Sequence, residues 1–156
     1  MNPYRIAFEI QRARLISSRV MGVREDFIGC TADEIAVIEK AFRHRLPAAY
    51  RAFLEVMGRR AGTFLRGTDC FHAAVKNPHA MRKSVTGLED GPALSGTAFV
   101  FLSHQGYSFC WFDAAHGDDP FVTGLTEGKT PAPTGHTITQ WFGRAAEDEI
   151  SLAQGR

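Results

Sequence analysis

Paired cysteines are missing from this sequence. Its three cysteines, Cys30, Cys70 and Cys110, are widely spaced and odd in number, and no C-x-x-C occurs. That excludes a disulfide framework and a cysteine-pair zinc knuckle, and it makes a reducing cytoplasm the expected compartment. Long apolar runs are missing too, and nothing approaches the roughly 20 residues of a membrane span. The first 24 residues do not read as a signal peptide, because Glu9, Arg12 and Arg14 interrupt any apolar segment. An excess of one charge is likewise absent: the net charge is +1, so neither nucleic acid nor a membrane surface is expected as a partner.

The signatures of catalysis are also lacking. There is no G-x-S-x-G elbow and no glycine-rich phosphate loop. Ser103 and His104 are neighbours in the chain, and adjacent extended residues point apart, so they make no catalytic pair. Cys70 and Cys110 sit in apolar surroundings that keep a thiol protonated. The six histidines show no H-x-H, H-x-x-x-H or H-E-x-x-H spacing. Asp113, His116, Asp118 and Asp119 cluster in "DAAHGDD", but without the ligand order and glycine of a calcium loop. No metal and no cofactor is expected.

What the sequence does have is aromatic and well punctuated. Residues 1–24 are basic, with Arg5, Arg12, Arg14, Arg19 and Arg24 against Glu9, and Ile6, Ile10 and Ala13 suggest the buried stripe of a helix or arm. "CTADEIAVIEKAF" opens with a capping box, Thr31 with Glu34, and carries an apolar face of Ile35, Ile38 and Phe42. Leu46-Pro47 ends that helix, and Pro47 suits the first position of the next, whose face is Tyr50, Phe53, Leu54 and Met57. Gly58 is the expected stop. "GTFL" (62–65) and "DCF" (69–71) read as short strands, "NPHAMRKSV" as a helix capped by Asn77, and residues 87–96 as a loop.

"AFVFL", a "SHQG" link and "YSFCWF" make an aromatic β-hairpin. Its second strand is apolar on both sides, as expected of a central strand covered on both faces. Its rings are expected to belong to the core, and the functional alternative is that Tyr107 or Trp111 reaches a surface groove and contacts a partner. "FVTGL" is a further strand, "TEGKTPAPTG" a loop, and "HTITQWFGRAAEDEI" a helix with a second capping box, Thr137 with Gln140. Within the hairpin, "SGTAFVFL" partly matches an RNA-binding strand. It has Ser95 where that motif has a cation, Thr97 where it has a stacking ring and Leu102 at its last aromatic position, so RNA binding is not expected.

The ordered set of these pieces resembles the SUKH superfamily, which joins a yeast cell-wall-synthesis regulator of the Smi/Knr type with many bacterial toxin-immunity proteins. The resemblance is carried by "CTADEIAVIEKAFRHRLPAAYRAFLEVMG", "FVFLSHQGYSFCWFD", "DDPFVTGLTEG" and "TITQWF", which together span most of residues 28–146. The sequence departs from the pattern where the usual double proline is Pro120-Phe121, and where the glycine-rich stretch after the first helix pair is only "GRRAG".

The resemblance implies an α+β fold, a mostly antiparallel sheet flanked by helices, over residues 28–156, with 1–27 as an N-terminal helix or arm. It implies no established catalytic residues, and so a non-catalytic protein-binding domain. The leading expectation is a cytoplasmic bacterial immunity protein that neutralises a cognate protein toxin, a nuclease among the candidates. The alternatives are a regulatory or scaffold module of the Smi/Knr type, whose yeast branch carries long disordered extensions not seen in this sequence, and a small enzyme or metal-binding protein. The expected partner-binding residues are His104, Gln105 and Tyr107 at the hairpin link, with Asp113, Asp118 and Asp119 in the following loop.

Overall fold

Local signals in the chain set the helix starts. In the computed structural model, which describes residues 2–18 and 27–155, both capping boxes are formed. Thr31 opens α2 (Ala32–Phe42) and Thr137 opens α6 (Ile138–Ala153). Asn77 caps α5 (Pro78–Thr86) by accepting the Ala80 N–H. Asn2 does the same for α1 (Pro3–Ser17), accepting from Tyr4 and Arg5. Each cap satisfies an orphan donor of a first turn. Arg19 and Arg24 of the basic N-terminal stretch lie outside the described residues.

The Leu-Pro corner forms one residue away from its expected place. Pro47 is the N-cap of α3 (Ala48–Met57), extended at φ −55° and ψ 146°, rather than its first helical residue. Gly58 ends α3, but not by turning left-handed, since its φ is −70°. It is needed for space: a Cβ there would lie 2.6 Å from the Leu54 Cα and 2.9 Å from the Cys30 Sγ.

The remaining elements are β1 (Phe27–Ile28), β2 (Arg60–Ala61), β3 (Thr68–Asp69), α4 (His72–Val75), β4 (Ala98–His104), β5 (Ser108–Asp113), β6 (Phe121–Thr126) and β7 (Ala132–Thr137). β1 and β2 make a two-stranded ribbon. The other five form one antiparallel meander in the order β3-β4-β5-β6-β7. The fold is α+β, an antiparallel sheet flanked by helices, and β5 is its central strand.

Four further expectations are corrected. "GTFL" is a run of turns rather than a strand, with Gly62 at φ 61° and Leu65 at φ 55°. Of "DCF", only Asp69 lies in a strand. Part of the expected Pro/Gly/Thr loop is β7, a strand that tolerates Pro133 because it lies at the sheet edge, where a missing N–H breaks no ladder. The fourth correction concerns α1. Its buried side chains are Phe8, Gln11 and Leu15, whereas Ile6 and Ile10 are 38% and 55% exposed.

The core is an aromatic stack. Phe53 lies flat on Phe142 at 4.1 Å between ring centroids, and both meet Phe8 of α1 at 5.7 Å. Tyr50 contacts Phe99, Phe101 and Phe112 on the sheet at 5.2, 6.0 and 5.1 Å. Helix α3 therefore joins the other helices to β4 and β5. The Tyr50 hydroxyl is fully buried and has no hydrogen-bond partner among the described residues.

A polar tie complements the stack at the start of α2. Glu34 accepts from the Thr31 N–H through Oε1 and from Arg59 through Oε2, with His72 Nε2 3.4 Å away. The Arg59 hydrogen bond first, then that of the Thr31 backbone, hold its carboxyl down at about 2.

Replacing Phe53 with alanine is expected to cost about 3–5 kcal/mol in a denaturant melt, as for other buried aromatic truncations. Tyr50→Phe removes only the unpartnered hydroxyl, so stability should stay level or rise, by up to about 1 kcal/mol. A clear loss would reveal a partner for that hydroxyl. Glu34→Gln keeps the capping geometry and removes the charge. Because the folded carboxyl titrates near 2 against an ordinary 4.5, its contribution is present above about pH 4.5 and fades as the pH falls toward 2. The stability gap between wild type and Glu34→Gln should therefore be largest near neutrality and close by about pH 2. A gap independent of pH would contradict the ion-pair account.

Candidate functional site

Strand alternation sorts the hairpin into two faces. Phe99 pairs with Phe112, and both turn toward the helices. Val100 pairs with Trp111 and Ala98 with Asp113, so these residues share the opposite face, which Thr123 extends through its pairing with Trp111. Phe99 and Phe101, the rings of the partial RNA-binding match, are 1% and 0% exposed and offer no stacking platform.

The outer face carries a groove of about 490 Å³. Its floor is Ala98, Trp111 and Thr123. One wall is the loop Pro92–Ser95, and the other is Asp119, Pro120 and Phe121, with Pro131 nearby. Trp111 is buried beneath the groove at 8% exposure, while Phe121 stands 66% exposed at its rim. Arg82 of α5 donates to the carbonyls of Ser95 and Ala98 at 2.8 and 2.9 Å, which fixes the first wall to the helix layer. Trp111, rather than Tyr107, is thus the hairpin ring beneath a groove.

The end of β5 and the loop after it supply the acidic residues. Asp113 Oδ1 accepts from Thr97 Oγ1 at 2.6 Å and from the Ala115 N–H at 2.9 Å, and Oδ2 accepts from Ser95 Oγ at 2.8 Å. Burial pushes this carboxyl up, but the bonds from Thr97, Ala115 and Ser95, with His116 alongside, outweigh it and hold it below the ordinary value. Asp119 Oδ1 accepts the Thr139 N–H in the first turn of α6, where a negative charge suits the helix dipole. Asp118 has an exposed side chain, and its carbonyl accepts the Ala49 N–H at the start of α3. It lines a second cavity of about 440 Å³ against His44–Ala48 and Arg51, so the Leu-Pro corner is both scaffold and cavity wall.

The hairpin link lies at the other end of the sheet. Gln105 and Gly106 turn the chain at φ 53° and 77°, and the Tyr107 N–H closes the turn on the His104 carbonyl. His104 Nδ1 lies 2.8 Å from Thr68 Oγ1 and so ties β4 to β3, while Tyr107 packs edge-on to His104 and is 43% exposed. The whole of β5 separates Tyr107 from Asp113, a span of about 20 Å at the usual strand rise. The expected partner-binding residues therefore fall into two patches, His104, Gln105 and Tyr107 in one and Asp113, Asp118 and Asp119 in the other. Only Asp113 and Asp119 line the groove.

Phe121 and the Pro92–Ser95 wall were missed by residue chemistry alone. The one sequence sign of Phe121 is its departure from the double proline of the resembled family. The three thiols are buried, and burial pushes Cys30 and Cys110 up to about 12 and raises Cys70 as well, so none offers a thiolate at neutral pH. Among the described residues, no group of three or more His, Cys, Asp or Glu side chains is placed to hold a metal ion. Among the same residues, no helix is long and apolar enough to cross a membrane.

The pattern of the SMI1 / KNR4 family (SUKH-1) matches residues 29–144. No curated protein matches the chain. The family match covers well over half of the chain and takes in α2 through the start of α6, including every residue of the groove. The chain belongs to the SMI1 / KNR4 family (SUKH-1).

Proposed function

We propose that this member of the SMI1 / KNR4 family is a bacterial immunity protein that neutralises a cognate protein toxin in the cytoplasm by binding it, without catalysis of its own. Family membership supports a binding module, and the likeness of "FVFLSHQGYSFCWFD" to bacterial members supports the immunity branch. The observation that carries the reading is the groove on the outer sheet face. An aromatic ring left largely in water beside a half-open apolar cleft is what a protein interface buries at its centre.

The mechanism is occlusion: the toxin is held against the rigid sheet so that its own active surface is covered. The proposed contact surface is the acidic end, Asp113, Asp118 and Asp119, with His104, Gln105 and Tyr107 as a separate second patch. Strand addition is disfavoured at both sheet edges. β7 carries Pro133 and a left-handed Gly135, and β4 beyond its short pairing with β3 is flanked by α5. Recognition then depends on side chains rather than on backbone pairing.

Co-expression with the product of the adjacent candidate toxin gene tests this. Cells carrying the wild-type chain should survive, and Asp118→Ala or Tyr107→Ala should weaken protection according to which patch is used. Cell death despite folded wild-type chain, with an adjacent gene shown to encode a toxin, would overturn the immunity reading. Full protection by both variants would remove Asp118 and Tyr107 from the contact surface.

A further inference from the structure

The chemistry of the groove constrains what enters it. Its walls are stiff: prolines 92, 120 and 131 line it, and Arg82 anchors the loop wall through two carbonyls. A site held in shape before binding loses little conformational freedom on association. Among the described residues, the ionisable side chains lining it are Asp113, His116 and Asp119. Asp113 is an ionised carboxylate fixed by three donors, and Asp119 spends one oxygen on the Thr139 N–H. His116 reaches within 3.8 Å of Asp113 but is itself 72% exposed. Arg82, braced behind the wall, has its guanidinium turned to backbone carbonyls.

Two carboxylates beside an aromatic floor and proline-lined walls repel phosphates, nucleic acid and acidic peptides. They suit the opposite: a positive head group on an apolar stem. An arginine or lysine meets both requirements, its stem lying on Trp111 and Leu94 and its charge facing Asp113 and Asp119. The open face of the Phe121 ring adds a cation–π surface at the rim.

We propose that the groove receives a basic segment of a protein partner, an arginine or lysine flanked by apolar residues, seated between Phe121 and the Pro92–Ser95 wall. This rests on the binding-protein reading above and adds to it the chemistry of the partner. Association is then accelerated by charge and weakened by salt.

The test is selection of a random peptide library on the immobilised full-length chain, followed by affinity measurement of the enriched peptides. Enriched sequences should carry Arg or Lys beside apolar residues and bind more weakly as salt rises. Phe121→Ala should weaken them by about ten-fold or more, as expected for truncating a central aromatic contact. Asp119→Asn should weaken them several-fold, while its remaining oxygen still accepts the Thr139 N–H and a cooperative melt close to that of the wild type confirms the fold. Enrichment of neutral or acidic peptides, no enrichment at all, or affinities unchanged in both variants would overturn the proposal. Protection from the toxin persisting alongside any of those results would overturn the groove assignment alone and leave the immunity reading standing.

Discussion

Everything in this molecule depends on helix α3 being buried on nearly every side. Tyr50 and Phe53 lie one turn apart, and they face different partners. Phe53 stacks on Phe142 and meets Phe8, which fixes α6 and α1, while Tyr50 packs on the rings of β4 and β5. Fully burying aromatic side chains of this size is worth about 2–3 kcal/mol each by area removed from water. The helix must also approach its neighbours closely. Gly29 lies so near the Glu55 carbonyl that a Cβ would sit 1.8 Å from its oxygen, and Gly58 is similarly confined. The backbone after Met57 is thereby pinned against the segment that leads into α2, and the Cys30 N–H bonds the Leu54 carbonyl at 2.7 Å.

That constraint determines what is left for recognition. The inner face of the sheet is consumed by the helices, the β4 edge is flanked by α5, and the β7 edge is blunted by proline and a left-handed glycine. The outer face keeps an open cleft because its cover is a loop, Pro92–Ser95, rather than a helix. The acidic side chains beside that cleft serve the fold as well as the surface. Asp113 ties the loop before β4 to the loop after β5, and Asp119 holds the start of α6. A partner that meets these carboxylates meets groups already oriented by the scaffold.

Much of this was legible in the sequence because it is local. Capping boxes, an Asn-Pro start and a Leu-Pro corner specify backbone geometry within a few residues, and the aromatic hairpin announced the central strand. The errors fall where tertiary contact decides. Helix α1 carries two weak apolar stripes, and the choice of Phe8 and Leu15 over Ile6 and Ile10 is made by α3 and α6. "GTFL" has strand-like residues, yet left-handed positions at Gly62 and Leu65 fold it into turns. β7 reads as loop because Pro133 and Gly135 are admissible only at an edge, and edge status is a property of the whole sheet. The acidic residues were identifiable by type and lie one strand beyond the link in sequence, and the length of β5 sets Tyr107 and Asp113 at its opposite ends. Phe121 was hidden because alternation gives two faces without saying which one is covered.

The central claim is that partners engage the Phe121 end of the outer sheet face. A photo-crosslinking amino acid placed at position 121, and separately at the exposed positions 107 and 37, tests it in cells that also express the toxin. The account predicts a crosslinked adduct with the toxin from position 121 and none from position 37. An adduct from position 107 with none from 121 would place recognition at the hairpin link and contradict it.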